Sequence, residues 1–186
     1  VNVRVSPLFD DLNRLTKTQS NHDRSFDFIY VADGEHHKNH RNLLEAWQLL
    51  AAESIRPTLA LTIDAKRYSE LCAHLTERSK AHNLRIFNLG LVPMSEIQGL
   101  YLTSGALIYP STFESFGLPL IEASRTQIPV VASERDFVRD VSCPVHTFDP
   151  ESPLSIARAV RRFIGDPEQP VALNSPDEFL AEVRKD

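Results

Sequence analysis

Two glutamates, Glu114 and Glu122, lie eight positions apart on either side of a glycine turn. Gly117 stands at the predicted start of a helix, where a residue without a Cβ lets the backbone approach a ligand closely. The amides of Phe116, Gly117 and Leu118 would then face an anion at the positive end of the helix dipole. Because carboxylates accept hydrogen bonds from hydroxyls, two of them around this turn suit a ligand with a sugar on each side of a diphosphate.

A second group of polar side chains follows the first apolar run and contains Lys38 and three histidines. A cation at the start of a helix could stabilise a departing diphosphate. His36 and His40 have the i, i+4 spacing that lets two histidines share a metal, and His37 lies between them. No further ligand follows at a typical spacing, so we expect these histidines to be solvated or to line a phosphate pocket, and we predict no metal.

Apolar runs of strand length alternate with amphipathic stretches of helix length. This pattern predicts strands at 26–32, 58–63, 84–89, 106–109, 129–132 and 145–148. It predicts helices at 39–53, 67–83, 93–102, 118–125 and 154–164. Strands that are apolar on both faces and separated by helices require a parallel sheet with crossover helices. We therefore predict an α/β fold with a Rossmann-like, doubly wound parallel sheet, whose ligands bind at the carboxyl ends of the strands.

Length and composition narrow the class of protein. A chain of 186 residues with 42% hydrophobic residues is long enough for one compact domain with a real core. A net charge of -5 gives no basic field for nucleic acid, so we expect no nucleic-acid partner. No apolar run reaches the roughly 18 residues of a membrane-spanning helix. Cys72 and Cys143 lie far apart in the sequence. We therefore expect them to be small buried side chains in a reducing compartment rather than a disulfide.

A family resemblance rests on the segment from 109 to 133, which reads YPSTFESFGLPLIEASRTQIPVVAS. It closely resembles the Glu-x7-Glu region of family 4 (group 1) retaining glycosyltransferases, including the trailing Pro-Val-Val-Ala strand. The resemblance extends over about residues 26–167 and corresponds to the C-terminal, nucleotide-sugar-binding domain of the GT-B fold. The glutamates, the Phe-Gly turn and the final strand follow one another in the family's order. That order argues against the alternative that the glutamates are only solvated surface charges.

The resemblance implies roles for individual residues. Two would be catalytic: Glu114 would contact hydroxyls of the transferred sugar, and Lys38 would neutralise donor phosphate. Glu122 would hold the nucleotide ribose. The other residues implied to bind the donor are Ser115, Phe116, Gly117 and Leu118 on the diphosphate side and Val92 near the nucleobase.

The sequence departs from the family pattern at two places, one on the phosphate side of this site and one on the side of the nucleobase. Many relatives have an arginine just after a glycine at the end of the first strand, a place taken here by Val31 and Ala32. Arg41, one helical turn from Lys38, or a histidine would have to compensate for this missing cation. The segment 64–66 also stands where many relatives have a glycine-rich turn.

The resemblance further implies what the whole protein does. A UDP-, GDP- or ADP-sugar would be the donor, with no metal or other cofactor, and a hexose would pass with retention to a glycan or lipid-linked acceptor. That acceptor would bind a separate N-terminal domain, so we expect this chain alone to be inactive. The role implied is cell-surface polysaccharide or lipopolysaccharide synthesis in the cytoplasm, with attachment to the inner membrane as an option.

Three domain segments are expected. Residues 1–25 would be an interdomain linker, 26–167 the donor-binding domain, and 168–186 a tail that packs on the N-terminal domain. The main alternative is a degenerate, non-catalytic GT-B domain that binds a sugar or nucleotide or acts as a scaffold, which the missing cation at Ala32 favours. An epimerase of the same architecture and a receiver-like or flavodoxin-like module have less support in the sequence.

Overall fold

A computed structural model describes residues 24–166, and this range forms a six-stranded parallel sheet with helices between the strands. The strands are β1 Phe26–Tyr30, β2 Leu59–Leu61, β3 Ile86–Asn88, β4 Ser104–Tyr109, β5 Val130–Ser133 and β6 His146–Phe148. The helices are α1 His40–Ala52, α2 Ser69–Ala81, α3 Met94–Leu102, α4 Leu118–Thr126, α5 Asp136–Arg139 and α6 Pro153–Phe163. A 3-10 turn, His36–Lys38, precedes α1.

The strand order is β3-β2-β1-β4-β5-β6, and every neighbouring pair is parallel. The direction of winding reverses between β1 and β4, which pair with Phe28 opposite Ala106. This topological switch point opens a crevice at the carboxyl ends of β1 and β4, where ligands of such sheets bind. The predicted Rossmann-like fold class is confirmed.

The sheet is covered on both faces, as its continuous apolar strands require. Every residue of β4 is buried, and Phe28 of β1 is fully enclosed. Trp47 of α1 packs edge-on against Phe28 at 5.7 Å, and its indole N–H donates to the carbonyl of Pro57 at 3.0 Å. Helix α6 lies against α1 and buries Ile156 and Val160. A rigid layered core therefore supports the loops at the carboxyl edge.

The structure corrects some sequence expectations. The strands are one to three residues shorter than most of the predicted apolar runs. The four-residue helix α5 was not predicted, because a single helical turn leaves little periodicity. Cys72 is half-buried and Cys143 is exposed, so the prediction of two buried cysteines is wrong. The predicted tail 168–186 and nearly all of the predicted linker 1–25 lie outside the described residues. Between residues 24 and 166, no helix is long and apolar enough to cross a membrane.

Candidate functional site

Asn39 fixes the turn that carries Lys38 at the carboxyl end of β1. It adopts a left-handed backbone conformation, with φ 62°, and forms the N-cap of α1. Asparagine is one of the few residues that tolerate this conformation. Its side-chain amide donates to the carbonyls of Pro110 at 3.0 Å and Pro150 at 2.7 Å. The start of α1 is thereby tied to the loops that follow β4 and β6.

The last residue of β1, Tyr30, links the Lys38 segment to the loop after β4. Its buried hydroxyl lies 2.9 Å from the carbonyl oxygen of Lys38 and 2.8 Å from Oγ of Ser111. Burial raises the pKa of Tyr30, which keeps the phenol a neutral donor to the Lys38 carbonyl. The amide of Thr112 adds a hydrogen bond to the carbonyl of His37 at 2.9 Å. Together with the bond from Asn39 to Pro110, these hydrogen bonds hold the Lys38 segment against the loop after β4.

This framework brings the two predicted catalytic residues into contact. Nζ of Lys38 lies 2.7 Å from Oε1 of Glu114, and their side chains are 16% and 9% exposed. Such a largely buried ion pair is screened much less by salt than a surface pair. The phenol of Tyr109 lies nearby, and its pKa is raised by burial and then by the charge of Glu114. The pair is a fixed, charged feature of the switch point.

Gly117 forms the N-cap of α4 in a left-handed conformation, with φ 66°. No side chain caps this helix end, and the first amides of any helix lack intrahelical acceptors. Ser115, Phe116 and Leu118 around the glycine are all exposed. A Cβ on Gly117 would come within 3.1 Å of Cδ1 of Leu120. The turn therefore places the start of a helix without a side-chain cap at the carboxyl edge of the sheet.

A cleft opens beside this turn and is called the main cleft below. Its walls include Ala32, Asp64, Arg67, Val92, Leu118 and Glu122. Three residues predicted to bind a donor, Val92, Leu118 and Glu122, thus share one cleft. The turn from Ser115 to Gly117 connects Leu118 of the cleft wall to Glu114 of the ion pair. The Lys38–Glu114 ion pair, the start of α4 and the carboxylate of Glu122 therefore follow one another along a single edge of the sheet.

Two arginines near this edge occupy different places. Arg67 lines the main cleft, where its guanidinium donates to Oε1 of Glu35 at 3.0 Å and lies 5.0 Å above the ring of Tyr68. Arg41 is exposed and lines a neighbouring groove together with Gly34 and Tyr68. Arg67 was missed in the sequence, although it follows β2 at the edge where ligands are expected. Arg67 and Ala32 line the same cleft, whereas Arg41 lines only the neighbouring groove, which Arg67 also borders.

The three histidines do not form a common site. His36 is exposed and His37 is half-buried, whereas His40 is 3% exposed. Nε2 of His40 lies 2.6 Å from the carbonyl oxygen of Asp33, and burial lowers the pKa of His40 to about 4. This neutral imidazole donates to the backbone and has a structural place in the core. Within the described part of the chain, no group of three or more His, Cys, Asp or Glu side chains could hold a metal ion.

The fold of this chain is that of one half of a GT-B glycosyltransferase. The C-terminal domain of a group 1 family glycosyl transferase (LpcC) from Francisella tularensis superposes with a TM-score of 0.64 over 75% of each chain, at 20% identity. Anabaena HepE, solved in complex with UDP and glucose, gives 0.63 over 76% of this chain and 39% of that one, at 20% identity.

Sequence comparison then identifies the family. The family described as "Glycosyl transferases group 1" matches residues 13–176, so this chain belongs to it. The O-antigen chain mannosyltransferase B of Escherichia coli is 37% identical over 106 residues, which are 56% of this chain and 28% of that protein. The serotype-specific mannosyltransferase WbdA of Escherichia coli is 31% identical over 145 residues, or 76% of this chain and 18% of that protein. The chain therefore corresponds to a small part of either relative.

Proposed function

We propose that this domain binds the nucleotide-sugar donor of a retaining, family 4 glycosyltransferase. The observation that carries the proposal is the convergence of three features on one edge of the sheet. These features are the Lys38–Glu114 ion pair, the start of α4 at Gly117, which no side chain caps, and the carboxylate of Glu122. They match, in order, a transferred sugar with its phosphate, a diphosphate and a ribose.

The proposed chemistry of this half is positioning and charge stabilisation. The amides at the start of α4 hold the diphosphate at the positive end of the helix dipole. Lys38 has three ammonium donors, so it can bind a phosphate oxygen while it keeps its contact with Glu114. As the bond between sugar and phosphate breaks, negative charge grows on the diphosphate, and these fixed donors stabilise it. Glu114, held by Lys38, accepts hydrogen bonds from hydroxyls of the transferred sugar.

The rest of the reaction belongs to the whole protein and is proposed by analogy with its relatives. A hexose passes with retention from the nucleotide to a glycan or lipid-linked acceptor in the synthesis of cell-surface polysaccharide or lipopolysaccharide. The two mannosyltransferase relatives support mannose as the hexose. The acceptor binds outside this domain, and this half alone binds donor without transferring it. No metal takes part, because cationic side chains and a helix terminus meet the diphosphate.

A second candidate, a non-catalytic domain that binds a sugar or nucleotide, has one observation in its favour. The charges along the main cleft are mostly negative: Asp33, Asp64 and Glu122 face it, and Arg67 is already bonded to Glu35. A domain with weak phosphate binding could still recognise a nucleoside through its ribose. The two candidates differ in whether the diphosphate contributes to affinity.

Calorimetric titration of the chain with UDP, GDP and ADP, each with and without EDTA, tests the proposal. We expect one diphosphate to bind in the presence of EDTA and the corresponding nucleoside to bind much more weakly. Glu122→Ala should lower the affinity at least about tenfold, since a hydrogen bond to a charged group is lost. Glu45→Ala, on the exposed face of α1, should leave it unchanged.

Two outcomes would count against donor binding. A nucleoside that binds as tightly as its diphosphate would favour the non-catalytic candidate. A folded chain that binds none of the three diphosphates would contradict the proposal for this domain, and the same titration on the full-length protein would test the whole enzyme.

A further inference from the structure

The carboxylate of Glu122 accepts a hydrogen bond from a buried tyrosine of the adjacent helix. The hydroxyl of Tyr101 in α3 donates to Oε2 of Glu122 in α4 at 3.0 Å. Tyr101 is 1% exposed, whereas Glu122 is only half-buried. The carboxylate therefore accepts a hydrogen bond from a buried phenol and belongs to a side chain that still reaches the surface.

The direction of this hydrogen bond is fixed. Burial, and then the charge of Glu122, raises the pKa of Tyr101 far above its usual range. The phenol therefore keeps its proton and can only donate to the carboxylate. A buried hydroxyl without a partner would be costly, so the hydrogen bond also restrains the rotamer of Glu122.

Glu122 stands where two clefts meet. It lines the main cleft and also a second cleft between α3 and α4, whose walls include Tyr101, Gln98 and Thr126. A glutamate with several rotatable bonds could point into either space, and ordering it on binding would cost rotamer freedom. The hydrogen bond from Tyr101 fixes Oε2 on the side of the second cleft and so limits this choice before a ligand arrives. Such preorganisation raises affinity, because less rotamer freedom is lost on binding.

We propose that Tyr101 is a positioning residue that aims Glu122 at the hydroxyls of the donor ribose, so that recognition of those hydroxyls passes through the Tyr101–Glu122 hydrogen bond. The inference deepens the proposed donor-binding function and rests on it. Tyr101 would then help to distinguish ribose from deoxyribose without touching the ligand itself.

The test compares affinities for ribose and deoxyribose ligands in matched variants. Calorimetry measures the binding of UDP, GDP and ADP and of their 2′-deoxy and 3′-deoxy analogues to the wild-type chain, Tyr101→Phe and Glu122→Gln. Tyr101→Phe keeps the buried ring and removes only the hydroxyl. Tyr68→Phe is the matched control, because the Tyr68 hydroxyl also donates to a glutamate, Oε1 of Glu35 at 2.8 Å, and not to Glu122, although Tyr68 and Glu122 both line the main cleft.

We expect the wild-type chain to prefer the ribose form of its best diphosphate by about tenfold or more over at least one deoxy analogue, as for a hydrogen bond to a charged group. Tyr101→Phe should reduce this preference by about three- to tenfold and change affinity for that deoxy analogue less than about twofold. Tyr68→Phe should keep the preference whatever its effect on overall affinity. The double variant of Tyr101 and Glu122 should show no loss of preference beyond that of Glu122→Gln.

The outcomes separate this inference from the proposed function. A wild-type chain that binds no diphosphate overturns both. Binding with a ribose preference that Tyr101→Phe leaves intact overturns the inference alone. An equal loss of affinity for the ribose and deoxyribose forms in Tyr101→Phe also overturns it, because that result indicates a general structural effect.

Discussion

Removing one member of the Lys38–Glu114 pair should destabilise the fold much more than removing both. Lys38→Met leaves the carboxylate of Glu114 without its cation in a place that is only 9% exposed. Breaking a buried ion pair in this way costs about 3–5 kcal/mol, and the remaining exposure here lowers our expectation to about 2–4 kcal/mol. For a chain of this size, that corresponds to a decrease in Tm of very roughly 5–12 °C.

The double variant Lys38→Met with Glu114→Gln removes both charges and should recover part of this loss. We expect a coupling free energy of about 1–3 kcal/mol between the two positions. A matched control is the surface pair of Arg135 and Glu151, whose N–O distance is a similar 2.8 Å but whose side chains are 32% and 74% exposed. Arg135→Met should change the free energy of unfolding by less than about 1 kcal/mol.

Urea denaturation followed by tryptophan fluorescence measures these effects. The chain has one tryptophan, Trp47, which is buried in the core and reports on global unfolding. Additive effects of Lys38→Met and Glu114→Gln would refute the reasoning, because they would mean that the two charges do not interact in solution. A loss in Lys38→Met no larger than that in Arg135→Met would refute it as well.

Three further predictions concern other parts of the site. Gly117→Ala should lower the free energy of unfolding by about 1–2 kcal/mol because of the left-handed backbone, with φ 66°, and by a further amount because its Cβ would crowd Leu120. Gly90→Ala, at φ 76° with open space around it, should show only the cost of the backbone conformation. His40 has a folded pKa of about 4 against 6.5 unfolded, so stability should fall as the pH decreases from 6.5 to 4, by up to about 3 kcal/mol that His40→Gln abolishes. Arg67→Ala should weaken nucleoside diphosphate binding at least about threefold by calorimetry, and Arg41→Ala should not.

Each of these predictions has a contrary result. Equal destabilisation by Gly117→Ala and Gly90→Ala, measured with urea, would show that the Gly117 turn has room for a side chain. Parallel pH–stability curves for the wild-type chain and His40→Gln would show that His40 is not held neutral. A larger loss of affinity in Arg41→Ala than in Arg67→Ala would return Arg41 to the role first suggested by its sequence position.

The sheet was predictable because its strands are apolar on both faces. Runs such as that around Ile108 can only be central strands of a parallel sheet, and the intervening periodic stretches can only cover it. The Gly117 turn was also readable, since a glycine directly before a helix and after a strand carries its own backbone requirement. The exact strand ends could not be predicted, because they depend on where the hydrogen bonds between neighbouring strands stop.

Contacts inside the site were harder to foresee. Lys38 and Glu114 were each singled out, but their ion pair spans 76 positions and depends on side chains that look ordinary in the sequence. Tyr30 reads as one more apolar strand residue, and the left-handed conformation of Asn39 leaves no periodic signal. Arg67 carries no signal of its own in the sequence, because a single arginine after a strand is also typical of a solvated surface charge. The roles of these residues, and retention in the reaction, stay predictions.

The most direct test of the account is to locate the bound nucleotide by amide chemical-shift mapping. Proton–nitrogen spectra of the labelled chain would be recorded during titration with the nucleoside diphosphate that binds best. The account predicts the largest shifts at Lys38, at Gly117 with its neighbours, and at Val92 and Glu122, along the carboxyl edge of the sheet. Saturable shifts confined to another face, such as that around Arg56 at the opposite end of β2, would contradict a donor site at the switch point.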